Sequence, residues 1–103
     1  MKKTMFFISV YDSETKGQKA KPVNGYFEYV AGLPLGFHKS GGKIPVWTCT
    51  ELSTGCKIAE GRTRADALEN ARPLFDKVCE TIIREDMKRL RDMIETAYKA
   101  GAA

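Results

Sequence analysis

Apolar residues recur at two different periods along this chain, and the change of period near Gly61 divides it. Residues 4–11, TMFFISVY, set Phe6, Ile8 and Val10 on one face and Met5, Phe7, Ser9 and Tyr11 on the other, the alternation of a strand built from good β-formers. Its second face is more apolar than solvent requires, so another element should cover it. Residues 24–31, NGYFEYVA, oppose Tyr26, Glu28 and Val30 to Phe27, Tyr29 and Ala31 and predict a second strand. Residues 45–52, PVWTCTEL, predict a third, with Pro45 at its start, where a missing amide is tolerated. Trp47, Cys49 and Glu51 point one way there, and Val46, Thr48, Thr50 and Leu52 the other. Ser53-Thr54-Gly55 then turns the chain into a fourth strand at 56–60, CKIAE. Between these runs, residues 12–23 are polar without a period and read as a loop. GLPLGFHKSGGK reads as irregular, with Gly41-Gly42 suited to a hairpin turn.

After Gly61 the period becomes helical. Thr63 suits an N-cap and Asp66 stands three residues on, where a capping acid belongs. Leu68, Ala71, Phe75, Val78 and Ile82 then form a stripe that can cover a sheet. Pro73 interrupts it and withholds the amide that would bond Glu69, which predicts a kink or a new helix beginning at the proline. Beyond Ile82 the stripe moves by one residue to Cys79, Ile83, Met87, Leu90, Ile94 and Ala97, with Met93 and Tyr98 beside it. One helix over residues 64–99 would span about 54 Å at ~1.5 Å per residue, whereas a strand of five or six residues covers only ~17 to 20 Å. Half of such a helix lacks sheet to lie on. The expected fold is α+β: an antiparallel sheet of three or four strands covered by a long C-terminal helix, kinked or divided at Pro73, in the order β-β-β-β-α. Residues 1–103 form one domain, and residues 83–103 are its helical extension. The seam Met87, Leu90, Met93, Ile94 and Tyr98 is the expected surface for a protein partner or a second copy, unless it packs back on the first strand.

Composition agrees with one modest core, at 43% hydrophobic and 29% charged over 103 residues. No apolar run is long enough for a membrane span, which argues against a membrane partner. The three cysteines, Cys49, Cys56 and Cys79, are odd in number and form no close pair, so a reduced, cytoplasmic setting is expected. Charge is unevenly distributed. Residues 1–64 carry ten Lys or Arg against five Asp or Glu, while residues 65–103 carry seven against eight. A basic strand half can be a footprint for nucleic acid, with Lys39, Lys43, Lys57, Arg62 and Arg64 as phosphate contacts and Trp47 as a stacking platform; solvated lysines or a Trp buried under the helix would be the plain alternatives.

Candidate chemistry is sparse. His38 is the only histidine and has no adjacent partner to make it a general base, so surface packing is its expected role. A Cys3His zinc site would need Cys49, Cys56, Cys79 and His38, which lack the close pairs of structural sites. Gly36 to Lys43 departs from a phosphate-binding loop by one extra residue, by Ile44 in place of Ser or Thr, and by the strand that follows. No catalytic residue, metal, cofactor or small-molecule substrate is predicted, and an enzyme is disfavoured.

One stretch resembles a known family. Gly55-Cys56, Gly61, Thr63, Ala67, Leu68, Asn70 and Ala71, within residues 47–75, match the passage of the HicB-like antitoxin family from a strand through a Gly-Cys turn into a G-x-T-x-x-x-A-L-x-N-A helix. Arg62 and Arg64 stand where that family's surroundings are usually acidic. The resemblance implies a non-catalytic protein that binds a small nuclease toxin and sometimes DNA, of a kind common in bacterial and phage mobile elements. The functional expectation is therefore a small binding or adaptor protein of the antitoxin or inhibitor type, with nucleic-acid binding by the basic strand half as the alternative.

Overall fold

The computed structural model describes residues 2–101. Five strands run antiparallel in sequence order: β1 (Lys2–Asp12), β2 (Gly17–Val30), β3 (Leu33–Lys39), β4 (Trp47–Glu51) and β5 (Cys56–Gly61). Three helices follow: α1 (Arg64–Ala71), α2 (Phe75–Ile82) and α3 (Lys88–Gly101). The α+β class and the antiparallel sheet are as expected. The number of strands and the single long helix are corrected.

The first correction concerns residues 12–23. They were expected to form a loop, yet β1 and β2 pair in one long hairpin from Lys2↔Phe27 to Asp12↔Gly17. Only four residues turn, with Glu14 N–H donating to Asp12 Oδ1 at 3.0 Å and Lys16 at positive φ. Lysines on exposed β2 positions hide the strand pattern, because neither face of this part of the hairpin is deeply buried. Pro22 is tolerated for a geometric reason. Its partner Phe7 directs its amide away from β2, and β3 pairs with β2 only from Tyr26 onward, so proline withholds no ladder bond.

The second correction is β3, which was expected to be irregular. Leu33, Leu35 and Phe37 are buried on one face while Pro34, Gly36 and His38 take the other. The glycine is required by packing: a Cβ at Gly36 would stand 2.7 Å from atoms of Phe6 and Leu52. The β2–β3 turn uses Ala31 and Gly32, both at positive φ, as a two-residue hairpin demands. Gly41 and Gly42 fall in a longer β3–β4 connection, closed by Ser40 N–H donating to Val46 O at 2.9 Å.

The helical run is broken twice. Thr63 caps α1 by accepting from Asp66 N–H at 3.1 Å. The small residues Ala67 and Ala71 are fully buried and let α1 lie close over β4 and β5. Gly61 serves the same approach, since a Cβ there would meet Ala67 N at 2.4 Å. Pro73 sits in a 3-10 turn (Arg72–Leu74) that divides α1 from α2. Leu33, Leu35, Phe37 and Cys49 of the sheet pack with Ala67, Ala71 and Phe75 as the main core. A second break, absent from the sequence reading, follows Ile82. Arg84 is extended, and Arg91 Nη1 donates to Ile82 O at 2.6 Å, a carbonyl that the end of α2 leaves free, and to Arg84 O at 2.8 Å, which also accepts from Met87 N–H.

That break turns α3 back onto β1 and β2. Ile94 is only 2% exposed. Phe7 N–H donates to Tyr98 Oη at 3.2 Å, and the two rings meet edge to face. The sheet coils so far that Ser9 N–H, on the outer edge of β1, donates to Gly55 O in the β4–β5 turn at 2.8 Å. Folding the run into separate arms gives extents of 32 × 31 × 27 Å, well short of the length of one straight helix.

Candidate functional site

Cations gather at the end of the sheet where α1 begins. Lys3 pairs with Tyr26, and Lys39 pairs with Trp47, which pairs in turn with Gly61. Directly paired residues share a face, so Lys3, Tyr26, Lys39 and Trp47 project on the α1 side. Arg62 and Arg64 follow Gly61 at once, and Arg64 reaches back across the sheet. Its Cζ lies 4.2 Å from the Tyr26 ring centroid and 5.5 Å from that of Trp47. The two rings are 6.1 Å apart and tilted by 46°. Trp47 is half-buried against the main core and Tyr26 is half-buried too. Trp47 therefore does not stand as the bare stacking platform considered from the sequence.

The predicted contacts divide accordingly. Lys39, Trp47 and Arg64 belong to one patch, while Arg62 is exposed between Gly61 and the cap of α1 and Lys43 is exposed in the β3–β4 connection, both in chain that adjoins it. Lys57 does not join them: it stands opposite Thr50, toward the other end of β5, and forms an ion pair with Glu60. Lys3 was not singled out by sequence reasoning, because only the strand register brings it opposite Tyr26. Among the described residues, Lys3, Lys39, Lys43, Arg62 and Arg64 form no ion pair, whereas the helical half pairs Arg72 with Glu69, Arg84 with Asp86, Lys88 with Asp92 and Lys99 with Glu95. Two carboxylates adjoin the patch: Glu28, which lines a cavity with Arg64 and Thr63, and Asp66 in the first turn of α1.

No family model, curated protein or solved structure matches this chain.

The expected partner seam is only partly free. Ile94 is inside the domain, and Tyr98, at 38% exposed, is engaged by Phe7. Met87, Leu90 and Met93 are half-buried. What lies open on this side is a groove of about 730 Å³ between α3 and the sheet, lined by Lys2, Met5, Phe27, Pro34, Glu95 and Tyr98 among others. Among the described residues no helix is long and apolar enough to cross a membrane, and no group of three or more His, Cys, Asp or Glu is arranged to hold a metal.

Cys49 is buried in the core, Cys56 partly covered on β5 and Cys79 exposed on α2. Burial pushes the Cys49 thiol up to about 12, so it is no thiolate nucleophile at neutral pH. His38 lies deeper than expected for surface packing. Its Nδ1 is buried with no hydrogen-bond partner among the described residues, and Phe6 meets its ring at 6.0 Å. Burial, and secondarily the Lys21 charge, hold its pKa below the ordinary 6.5. The folded protein therefore binds fewer protons than the unfolded chain as the pH drops below that value. Stability should be full above 6.5 and should decline as pH falls through the folded pKa. Urea midpoints from neutral to mildly acidic pH will show the decline, and His38→Gln should flatten it.

Proposed function

We propose that this is a non-catalytic binding protein that holds nucleic acid on the basic end of its sheet. The observation that carries the reading is that Lys3, Lys39 and Arg64 gather at the Tyr26–Trp47 pair, with Lys43 and Arg62 exposed in the adjoining chain, and that none of the five forms an ion pair among the described residues. Cations left without carboxylate partners are free to replace the counterions that a phosphate backbone releases, which is the main source of affinity in sequence-tolerant binding. Charge also weighs between the two roles that the HicB-like resemblance implies. A nuclease that grips RNA needs a basic surface of its own, and the basic half of this chain would repel it.

Five phosphate contacts set the expected salt dependence. Affinity for a labelled duplex should fall by a factor on the order of 10² to 10³ between about 50 mM and about 200 mM salt. Removing the exposed cations Lys39 and Arg62 together as glutamines should reduce the slope of log affinity against log salt by roughly 2. Fluorescence anisotropy measures both. Absence of binding to duplex and single strand alike at the lower salt would defeat the reading.

A second reading is a protein partner of the inhibitor type in the groove between α3 and the sheet. It is favoured by the apolar side chains at the rim of that groove, Met5 at 44% exposed and Tyr98.

A further inference from the structure

We infer that the basic patch is built for the two backbones of a duplex and not for the stacked bases of a single strand, because Arg64 closes the only aromatic pair within it. This rests on the nucleic-acid reading above. Single-strand binding without sequence preference draws about 1–3 kcal/mol per base from aromatic rings that bases can cover. Here the Arg64 guanidinium already lies over Tyr26 at 4.2 Å and beside Trp47 at 5.5 Å, while the rest of both rings is half-buried. No other exposed aromatic replaces them among the cations. Tyr29 pairs with Pro34 on the opposite face, and Tyr11 stands eight residues along β1 from Lys3, roughly 26 Å away by strand rise.

The layout of the cations suits a duplex. From Lys3 on β1 to Arg62 just beyond β5 the sheet crosses four strand intervals, about 19 Å of curved surface at ~4.8 Å each, and its coiling brings β1 toward the β4–β5 turn. Cations spread along such an arc can meet phosphates on both sides of a groove roughly 12 Å across. A duplex also offers one charge per ~1.7 Å of axis, which a single strand does not match. Arg64 then has two roles: it supplies one cation to the array, and it keeps bases off Tyr26 and Trp47.

The test uses the full chain with a short DNA duplex and oligo-dT of the same length. Trp47 is the only tryptophan, so its emission reports directly on the patch. The wild-type protein should bind the duplex at least several-fold tighter than oligo-dT, with Trp47 emission unchanged by oligo-dT. Arg64→Ala should weaken duplex binding, strengthen oligo-dT binding relative to it, and make Trp47 emission quench when oligo-dT is added. Arg64→Gln, which keeps more of the side-chain volume, should move the same three readouts in the same directions, and thermal melting verifies that both variants are folded. Quenching of wild-type Trp47 by oligo-dT, or an unchanged preference in both variants, overturns the inference while leaving nucleic-acid binding intact. No binding of either probe overturns both.

Discussion

Ile94→Ala should destabilise the protein by about 3 kcal/mol, with a melting temperature that does not depend on protein concentration. Ile94 is 2% exposed on α3 and presses against the β4–β5 turn, where a Cβ on Gly55 would meet its Cδ1 at 2.8 Å. Phe6 and Leu52 are buried nearby and line the same groove. Truncating a buried isoleucine loses its transfer free energy and leaves a cavity that rigid neighbours cannot fill, a cost of about 2–5 kcal/mol. In a chain of this size that lowers the melting temperature by roughly 15 °C. The absence of concentration dependence is the discriminating part. If the α3 seam were buried by a second copy instead of by this chain's own sheet, stability would rise with concentration by mass action. Melts over a roughly 100-fold range of concentration, with light scattering on wild type and variant, separate the two cases.

Glu51→Ala should cost a similar amount for a different reason. Glu51 is 1% exposed at the end of β4, and no cation pairs with it among the described residues. Its carboxylate is held instead by the turn that follows. Oε1 accepts from Ser53 Oγ at 2.9 Å, Thr54 N–H at 3.0 Å and Thr54 Oγ1 at 2.7 Å, and Oε2 accepts from Ser53 N–H at 2.8 Å. Alanine leaves these donors without an acceptor in a buried turn, and each such loss costs about 1–3 kcal/mol. Several are lost at once, so about 3 kcal/mol is expected after water and local relaxation recover part of the deficit. Glu51→Gln is the sharper test. Its carbonyl oxygen can still serve Thr54 and Ser53 Oγ, but its NH₂ group would face the Ser53 N–H, donor against donor. A loss of about 2 kcal/mol is expected although the shape is kept. Chemical denaturation measures both variants, and a glutamine variant as stable as wild type would show that acceptor count at this turn is unimportant. Both changes act on the same region, since Gly55 of this turn also receives Ser9 N–H from β1.

Several elements were legible in the sequence because their causes are local. Thr63 and Asp66 mark the start of α1 through a cap that needs only four consecutive residues. Trp47 to Glu51, Cys56 to Glu60 and the start of β1 could be read from β-forming residues bounded by turn signals within each segment, although β4 is buried on both faces, at Thr48 and Thr50 as well as at Cys49 and Glu51. Pro73 divides the helix because a proline lacks the amide wherever it stands. The positive bias of the strand half is likewise a matter of counting.

The remainder depended on contacts between distant residues. Leu33 to Lys39 looked irregular because Gly36 serves Phe6 and Leu52, which approach from elsewhere in the chain. Residues 17–23 looked like a loop because their partners lie on β1 and their exposed lysines carry no core signal. The shift of the apolar stripe after Ile82 was visible, but the stripe reports only that a face needs covering. Which surface covers it depends on the second break at Arg84, held by Arg91 seven residues further on, and on the coiling of the sheet that brings β1 to Gly55. The candidate site follows the same division: its cations could be named from the sequence, but their selection could not. Lys3 entered and Lys57 left because strand register decides which side chains share a face, and Trp47 lost its open ring because Arg64 folds across it. The sequence by itself determined the local conformations and the charge. Only the tertiary structure decided which faces remain free, because burial is settled between segments that composition and period cannot pair.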